Sequence, residues 1–298
     1  MYRLCSMISH RLARLVISLR PWSFPMTATS VSLGAALAYK AGHGDALRYL
    51  LVLAGAVLAH GSANLFNDYF DTKLGVDRPT SPTAIYRPHP IFAGFLSMRG
   101  LVVYALALIA AAAAIGLYLA LSVSLAILPI MCLGALLMTA YSGLLKLKHV
   151  GAGEAVVFAV WGPLMVEGAY CAMSGELSAA AALASLPLGL MVSCVLLANN
   201  IRDIGHDAAA GLRTVAVRLG RERSLALYAS MLASAYVLTA ALVALGVLPL
   251  WSLLSIATLP MAARLVRDFM REVPPDADPR TANLAIAYGA MLAASILI

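Results

Sequence analysis

Nine long apolar stretches, each close to 20 residues, dominate this 298-residue sequence. A helix of about 20 residues crosses the roughly 30 Å hydrocarbon core of a bilayer. Hydrocarbon offers backbone N–H and C=O groups no partner, so such stretches must satisfy their own hydrogen bonds as helices. The apolar and polar residues do not alternate as they do in a membrane β-barrel. The predicted spans are 24–42, 47–66, 100–120, 122–141, 153–173, 178–199, 224–245, 248–266 and 281–298.

The composition supports the same fold class. The sequence is 62% hydrophobic and 12% charged, with a mean hydropathy of +0.87, whereas soluble domains carry roughly 25% charged residues. The four cysteines show no spacing typical of a zinc site or a disulfide framework. We therefore predict an all-α, polytopic membrane protein, with residues 1–298 forming a single integral membrane domain.

The basic residues predict the orientation of this bundle. Once the spans are drawn, 19 of the 21 Lys and Arg residues fall on one side, and only Lys40 and Arg48 fall on the other. The positive-inside rule then places the N-terminus and the even-numbered span ends in the cytoplasm, at the cell membrane. Topology thus explains the net charge of +7, and no nucleic-acid partner is required. Residues 1–22 carry an apolar stripe among arginines, which predicts an interfacial N-terminal helix.

Span two runs into a polar stretch that hydropathy does not explain. Asn67 and Asp71 lie four residues apart and so share one face of a helix. Asn64 and Asp68 have the same spacing, and we expect one polar stripe at this helix end. A charged residue costs about 2.5–3.5 kcal/mol at the centre of a spanning helix, so several together indicate function.

Span six ends in a second stripe, formed by Asn199, Asp203 and Asp207. Both stripes lie at the C-terminal ends of their helices, where the macrodipole disfavours negative charge. A cation is therefore expected to join the oxygens, and carboxylate and amide oxygens select a hard ion such as Mg²⁺.

Asn199 follows Asn67 by 132 residues, with four spans from one stripe to the next. We therefore predict two four-helix pseudo-repeats and a ninth helix, with the two stripes facing each other across one cavity at the cytoplasmic side. Mg²⁺ binds through carboxylates together with phosphate oxygens, and basic side chains bind the remaining oxygens. The basic residues beside the stripes are Lys73, Arg78, Arg202 and Arg213. A diphosphate at the mouth of an apolar bundle indicates an isoprenoid diphosphate substrate.

These residues resemble the UbiA superfamily of intramembrane aromatic prenyltransferases. Its members have nine spanning helices, an N-D-x-x-D-x-x-x-D motif after helix two and a D-x-x-x-D motif after helix six. This chain reads Asn67-Asp68-x-x-Asp71 and Asp203-x-x-x-Asp207 at those places, and the resemblance covers essentially the whole chain.

The chain departs from the family pattern at the end of the first motif. The last Asp of the pattern falls on Gly75, and the acid here is Asp77. This departure looks like the 1,4-dihydroxy-2-naphthoate polyprenyltransferase branch, which makes demethylmenaquinone. Further segments that resemble this branch are Arg20-Pro21-Trp22, Gly151-x-Gly153-Glu154, Trp161-Gly162-Pro163-Leu164-Met165-Val166 and Asn199-Asn200-Ile201-Arg202-Asp203.

The resemblance implies roles for individual residues. Asp71, Asp203, Tyr141 and Lys146 are implied in catalysis, with Lys146 on the diphosphate and Tyr141 stabilising an allylic cation through its ring face. Tyr141 in an aromatic belt and Lys146 as a positive-inside anchor are the alternatives. The implied metal ligands are Asn67, Asp68, Asp71, Asp77, Asp203 and Asp207. The predicted substrate-binding residues, which include the basic residues beside the stripes, are Asn67, Lys73, Arg78, Asn199, Arg202 and Arg213.

The expected function is Mg²⁺-dependent transfer of a polyprenyl group from its diphosphate to an aromatic acceptor, which the resemblance implies is 1,4-dihydroxy-2-naphthoate in menaquinone biosynthesis. Transfer to 4-hydroxybenzoate, haem or a glycerol-phosphate lipid stays open. A cation-coupled transporter is the rival from another class, and it predicts acids near the bilayer midplane. The proline-rich segment 79–90 is expected to form a lid, since connections longer than about 15 residues are usually functional or disordered.

Overall fold

The computed structural model describes residues 11–143 and 145–298, without the side chain of Tyr86. The predicted interfacial helix 1–22 therefore lies partly outside the described residues. Its described part is helical over 11–18, named α1, and most of these residues are exposed. Arg20 then adopts a left-handed conformation, with φ of 58°, and this turns the chain into the first long helix.

The described residues form helices and contain no β-strand, which agrees with the predicted all-α class. A 3-10 helix over Leu250–Thr258 leads directly into α11. The helices after α1 are α2 (Phe24–Lys40), α3 (Ala46–Lys73), α4 (Pro82–Tyr86), α5 (Met98–Ser122), α6 (Ile127–Ser142), α7 (Gly153–Ser174), α8 (Ala179–Arg202), α9 (Ile204–Ala209), α10 (Val215–Ala244), α11 (Leu259–Arg271) and α12 (Ala277–Ile296).

Five of the described helices, namely α3, α5, α7, α8 and α10, are long and apolar enough to cross a bilayer. The other four predicted spans coincide with α2, α6, the Leu250–Thr258 and α11 pair, and α12. The fold is thus that of a multi-pass helical membrane protein, and the count of nine crossings stays a prediction. Helix α3 extends to Lys73, seven residues beyond the predicted end of span two, so the first polar stripe belongs to the helix itself.

Close helix contacts hold the site-bearing helices in place. Helix α3 packs on α5, and α8 packs on α10, so equivalent neighbours pair in each predicted repeat. Helices α2 and α7 meet at Gly34, where an added Cβ would lie 2.2 Å from the Val166 backbone oxygen. Small residues allow such backbone approach in membrane bundles. The internal symmetry of the two repeats stays a prediction.

A kink divides α7 beside the site. A π-type turn spans Val160–Leu164, Gly162 has non-helical φ and ψ of −85° and −108°, and Pro163 lies within the turn. Proline and π-bulges are the usual causes of helix kinks. The Trp161 carbonyl accepts a hydrogen bond from Ser30 Oγ at 2.7 Å, and the Trp161 side chain lines the main cavity.

Candidate functional site

A cavity of about 900 Å³ lies where the polar ends of α3 and α8 meet. The two sequence stripes contribute Asn67 and Asp71 from α3 and Asn199 and Asp203 from the end of α8. Asp207, on the short helix α9, also lines this cavity. The structure therefore brings the two Asn–Asp pairs to one space. Its deeper walls are apolar and include Ala112, Gly116, Ile130, Met131, Gly134 and Leu137.

A lysine bridges the first pair. Lys148 Nζ donates to Asp71 Oδ2 at 2.7 Å and to Asn67 Oδ1 at 3.3 Å. Ser142 Oγ donates to the same amide oxygen at 2.9 Å, and His149 Nε2 lies 3.4 Å from Asp71 Oδ1. Asp71 is buried, so the ammonium group is the main compensation for its charge.

The resemblance implied Lys146 at this place, and the structure places Lys148 there instead. Helix α6 ends at Ser142, and Lys146 takes a left-handed conformation with φ of 51° that reverses the chain into a 3-10 turn. Lys146 is exposed, whereas Lys148 faces the cavity with Tyr141. Burial lowers the pKa of Lys148, but the charge and hydrogen bond of Asp71 together with nearby Tyr141 and Asp77 raise it by more, so this pKa is raised and Lys148 stays charged.

An arginine bridges the second pair in the same way. Arg202 Nη2 donates to Asn199 Oδ1 at 2.8 Å and to Asp203 Oδ2 at 2.7 Å, and Arg202 Nε donates to Asp203 Oδ1 at 2.7 Å. The remaining guanidinium nitrogen, Arg202 Nη1, contacts Asp278 at the start of α12 and donates to the Pro275 carbonyl at 3.1 Å. Arg202, predicted to bind substrate, is therefore occupied by the protein's own acids.

Asp203 caps α8, with φ of −96° and ψ of 11°, so the predicted second stripe crosses a helix break. The Asp207 backbone N–H donates to the Asp203 carbonyl at 2.8 Å, which keeps the two acids adjacent. Burial raises the pKa of Asp207 to about 6, with Lys148 opposing and the Asp203 charge adding to the increase. His206 Nε2 lies 3.1 Å from the Val76 carbonyl and so links the two cavity-lining loops.

Asp68, a predicted metal ligand, faces away from the Asn67–Asp71 pair. Successive helix residues are rotated by about 100°, so Asn67 and Asp68 point in different directions and the expected single stripe divides into two. Asp68 Oδ1 accepts a hydrogen bond from Arg87 Nη2 at 2.8 Å and another from Arg20. A metal ion at Asp68 would therefore compete with two guanidinium groups.

Asp77, also predicted as a metal ligand, lies in the same cluster. The turn at Gly75, with φ of +73°, brings Asp77 beside His89, whose Nε2 is 3.4 Å from Asp77 Oδ2. Single ligand atoms of Asp68, Asp77 and His89 lie within 4.8 Å of one another, a spacing suited to a metal ion. However, the Ile91 N–H donates to His89 Nδ1 at 3.3 Å, so the ring proton belongs on Nε2 and blocks metal binding there. Two carboxylates and two guanidinium groups balance the charge of this cluster.

This cluster fixes the predicted lid to the membrane bundle. Arg87 and His89 belong to the connection between α3 and α5, and both contact Asp68 on α3. Thr83, Arg87 and Pro88 also line the cavity. The hypothesis that segment 79–90 covers the site gains a structural basis, and its role in turnover stays a prediction.

Three other predicted substrate-binding cations lie outside the site. Lys73, Arg78 and Arg213 are exposed, and they do not line the cavity in the described part of the chain. Lys73 lies in the last turn of α3 and Arg78 follows this helix, and Arg78 Nε donates to the Gly75 carbonyl at 3.2 Å. The number of basic residues around a motif does not show which of their side chains point into the cavity. The cavity-lining cations are Arg20, Arg87 and Lys148.

Comparisons with known proteins identify the family of this chain. Residues 28–292 match the UbiA prenyltransferase family. The UbiA prenyltransferase domain-containing protein 1 of Danio rerio is 33% identical, with 98% of this chain and 86% of that protein covered. The Homo sapiens protein of the same name is 33% identical, with 96% and 84% covered.

Solved structures share the fold. A UbiA homologue from Archaeoglobus fulgidus bound to GPP and Mg²⁺ superposes with a TM-score of 0.65 at 19% identity, covering 94% of this chain and 99% of that one. The apo UbiA homologue from Aeropyrum pernix K1 gives 0.68 at 23% identity, with 91% and 96% covered. The family match spans most of the sequence, and full-length relatives exceed 30% identity. The chain therefore belongs to the UbiA prenyltransferase family and is a prenyltransferase.

Proposed function

We propose that the protein transfers a polyprenyl group from its diphosphate to an aromatic acceptor in a Mg²⁺-dependent reaction at the cytoplasmic face of the cell membrane. The observation that carries the proposal is the single cavity that joins both Asn–Asp pairs to a long apolar space. The diphosphate would bind at the polar end of this cavity, and the prenyl chain would pack against its apolar walls. A cation-coupled transporter has no comparable support from the family match.

The donor set at the polar end fits Mg²⁺. The oxygen donors come from Asn67, Asp71, Asn199, Asp203 and Asp207, and Mg²⁺ prefers a few carboxylate or amide oxygens together with phosphate oxygens. Each Asn–Asp pair already binds a positive group of the protein, so the pairs favour cations. When bound, Mg²⁺ would neutralise the leaving diphosphate. We leave Asp68 and Asp77 out of this set because guanidinium groups compensate their cluster.

The cavity-lining side chains supply the rest of the chemistry. Arg20, Arg87 and Lys148 offer charged N–H donors to phosphate oxygens, and such bonds are about twice as strong as neutral ones. The Tyr141 ring lines the same cavity near Lys148, where its face would stabilise an allylic cation. The apolar walls exclude water, which would otherwise capture that cation.

The acceptor that we propose is 1,4-dihydroxy-2-naphthoate, prenylated with loss of its carboxylate as CO₂. The motifs around Gly75 and Asp77 support this branch, and Trp22, His60 and Trp161 give the cavity an aromatic surface for a planar ring. Aromatic groups prefer offset or edge-to-face contacts with one another. The relatives carry the name UbiA prenyltransferase domain-containing protein 1, which leaves their acceptor unspecified.

The test uses purified protein with Mg²⁺, a polyprenyl diphosphate and equal amounts of 1,4-dihydroxy-2-naphthoate and 4-hydroxybenzoate, followed by mass analysis of the lipid product. We expect prenylated, decarboxylated naphthoquinol. Asp71→Asn and Asp203→Asn should each abolish product, whereas the exposed-pair variant Asp45→Asn should not. A 4-hydroxybenzoate product would overturn the acceptor, and full activity of both site variants would overturn the metal assignment.

A further inference from the structure

The two Asn–Asp pairs are bridged by protein cations in an equivalent manner. Lys148 Nζ contacts Asn67 Oδ1 and Asp71 Oδ2, and Arg202 Nη2 contacts Asn199 Oδ1 and Asp203 Oδ2. In both pairs the amide and carboxylate oxygens are those proposed above to bind metal. The two cations come from unrelated places, a 3-10 turn after α6 and the last turn of α8, so one local motif does not explain both.

We propose that Lys148 and Arg202 act as built-in substitutes for the metal ions and so prevent divalent metals from binding tightly before the diphosphate arrives. The inference rests on the proposed role of the Asn–Asp pairs as metal sites. It concerns the order and coupling of binding, which the proposed function leaves undetermined.

The two ion pairs, Lys148–Asp71 and Arg202–Asp203, are largely buried, so exchanging the protein cation for a metal ion has a large energetic effect. The Asp71 side chain is 3% exposed and Lys148 is 15% exposed, while Arg202 and Asp203 are 8% and 7% exposed. Removing one partner of a buried pair leaves the other charge uncompensated, which is strongly unfavourable. A metal ion that entered alone would displace Lys148 from Asp71 without offering it a new anion, and it would leave Arg202 with Asp278 as its remaining ion-pair partner among the described residues.

A diphosphate changes this balance because it brings anionic oxygens with the metal. Lys148, once released from Asp71, then has phosphate oxygens to bind, and it lies in the same cavity. Arg202 contacts Asp278 on α12 with or without diphosphate, so the coupling is expected to come from Lys148. Metal and diphosphate are therefore expected to bind with positive coupling, each increasing the affinity for the other by the same factor.

The experiment is a Mn²⁺ titration followed by electron paramagnetic resonance, with Mn²⁺ as a spectroscopic substitute for Mg²⁺ and inorganic diphosphate as the anion. The detergent-purified wild-type protein should bind Mn²⁺ weakly alone and on the order of 5- to 150-fold more tightly with diphosphate, the usual range of such coupling. Lys148→Gln and Arg202→Gln should each tighten Mn²⁺ binding without diphosphate, and Lys148→Gln should also reduce the coupling.

Matched variants separate this effect from a general change of charge. Lys146→Gln removes an exposed lysine two residues from Lys148, and Arg221→Gln removes an exposed arginine on α10; both should behave as wild type. Lys148→Arg keeps the charge and should retain the coupling. Size-exclusion profiles identify any variant that fails to fold, and tight Mn²⁺ binding by the wild type without diphosphate would overturn the inference even then.

The outcomes distinguish the inference from the function on which it rests. Tight Mn²⁺ binding by the wild type without diphosphate, or unchanged binding in folded Lys148→Gln and Arg202→Gln, overturns the substitution. If Asp71→Asn and Asp203→Asn bind Mn²⁺ and diphosphate as the wild type does, the metal sites themselves are wrong. Loss of Mn²⁺ and diphosphate binding in Asp71→Asn and Asp203→Asn, together with the expected coupling in the wild type, supports the metal sites and is consistent with the substitution.

Discussion

Neutralising Asp68 tests whether this acid anchors the loop between α3 and α5. The Asp68 side chain is fully buried, and its partners Arg20 and Arg87 are 19% and 8% exposed. Asp68→Asn keeps the shape of the side chain but leaves two guanidinium groups without their carboxylate. Breaking a buried ion pair by removing one partner costs about 3–5 kcal/mol, so we expect a loss of that size in the free energy of unfolding.

An exposed ion pair on the same helix provides the control. Asp45 and Arg48 lie 3.3 Å apart with side chains 41% and 37% exposed, and such surface pairs contribute about 0–1 kcal/mol. Asp45 also caps α3 by accepting the Arg48 N–H at 3.0 Å, and asparagine preserves this cap. Asp45→Asn should therefore change the free energy of unfolding by less than about 1 kcal/mol.

The measurements are equilibrium unfolding by SDS in mixed micelles and amide hydrogen exchange of residues 78–97. Asp68→Asn should lower the free energy of unfolding and increase exchange across this segment, because Arg87 and His89 lose their contact on α3. Adding Arg87→Gln should recover part of the loss, since it removes one uncompensated charge. Equal losses in Asp68→Asn and Asp45→Asn, with unchanged exchange, would refute the anchoring role.

Three further results are expected. Because the pKa of Asp207 is raised to about 6, lowering the pH from 7 to 5 should protonate this ligand and weaken Mg²⁺ binding about tenfold, and Asp207→Asn should abolish this part of the pH dependence in a calorimetric titration. Gly134 lines the cavity with no atom within 4 Å of an added Cβ, so Gly134→Phe should fill the apolar end and shift product from long to short prenyl chains in a donor competition assay; an unchanged chain-length profile would contradict this. At Gly34 a Cβ would lie 2.2 Å from the Val166 backbone oxygen, so Gly34→Val should cost about 1–3 kcal/mol and reduce the monodisperse yield in detergent, and a wild-type yield and stability would contradict the packing.

Hydropathy and helical spacing predicted the parts of the molecule that depend on local sequence. The apolar stretches locate the long helices because lipid leaves the backbone no other hydrogen-bonding arrangement. The four-residue spacing likewise placed Asn67 with Asp71, since a helix fixes their relative direction. The expected single stripe was wrong for Asp68, because adjacent helix residues are rotated by about 100° and Asp68 therefore points away from Asn67.

The cationic part of the site depends on loop geometry that spacing does not encode. Lys146 and Lys148 have equal charge in the sequence, and the left-handed turn at Lys146 directs Lys148 to Asp71. Arg87 and His89 reach α3 from a distant part of a long connection, through a tertiary contact. Arg202 adjoins Asp203 in the sequence, but its partner Asp278 on α12 comes from a distant part of the chain.

The central claim is that the two Asn–Asp pairs hold divalent metal ions on one diphosphate. The most direct measurement is anomalous scattering from a crystal grown with Mn²⁺ and a prenyl diphosphate analogue. The account predicts metal peaks within about 2.5 Å of oxygens of Asn67 or Asp71 and of Asn199, Asp203 or Asp207, with diphosphate between them. Metal peaks at Asp68, Asp77 and His89 instead, or a diphosphate bound away from both pairs, would contradict it.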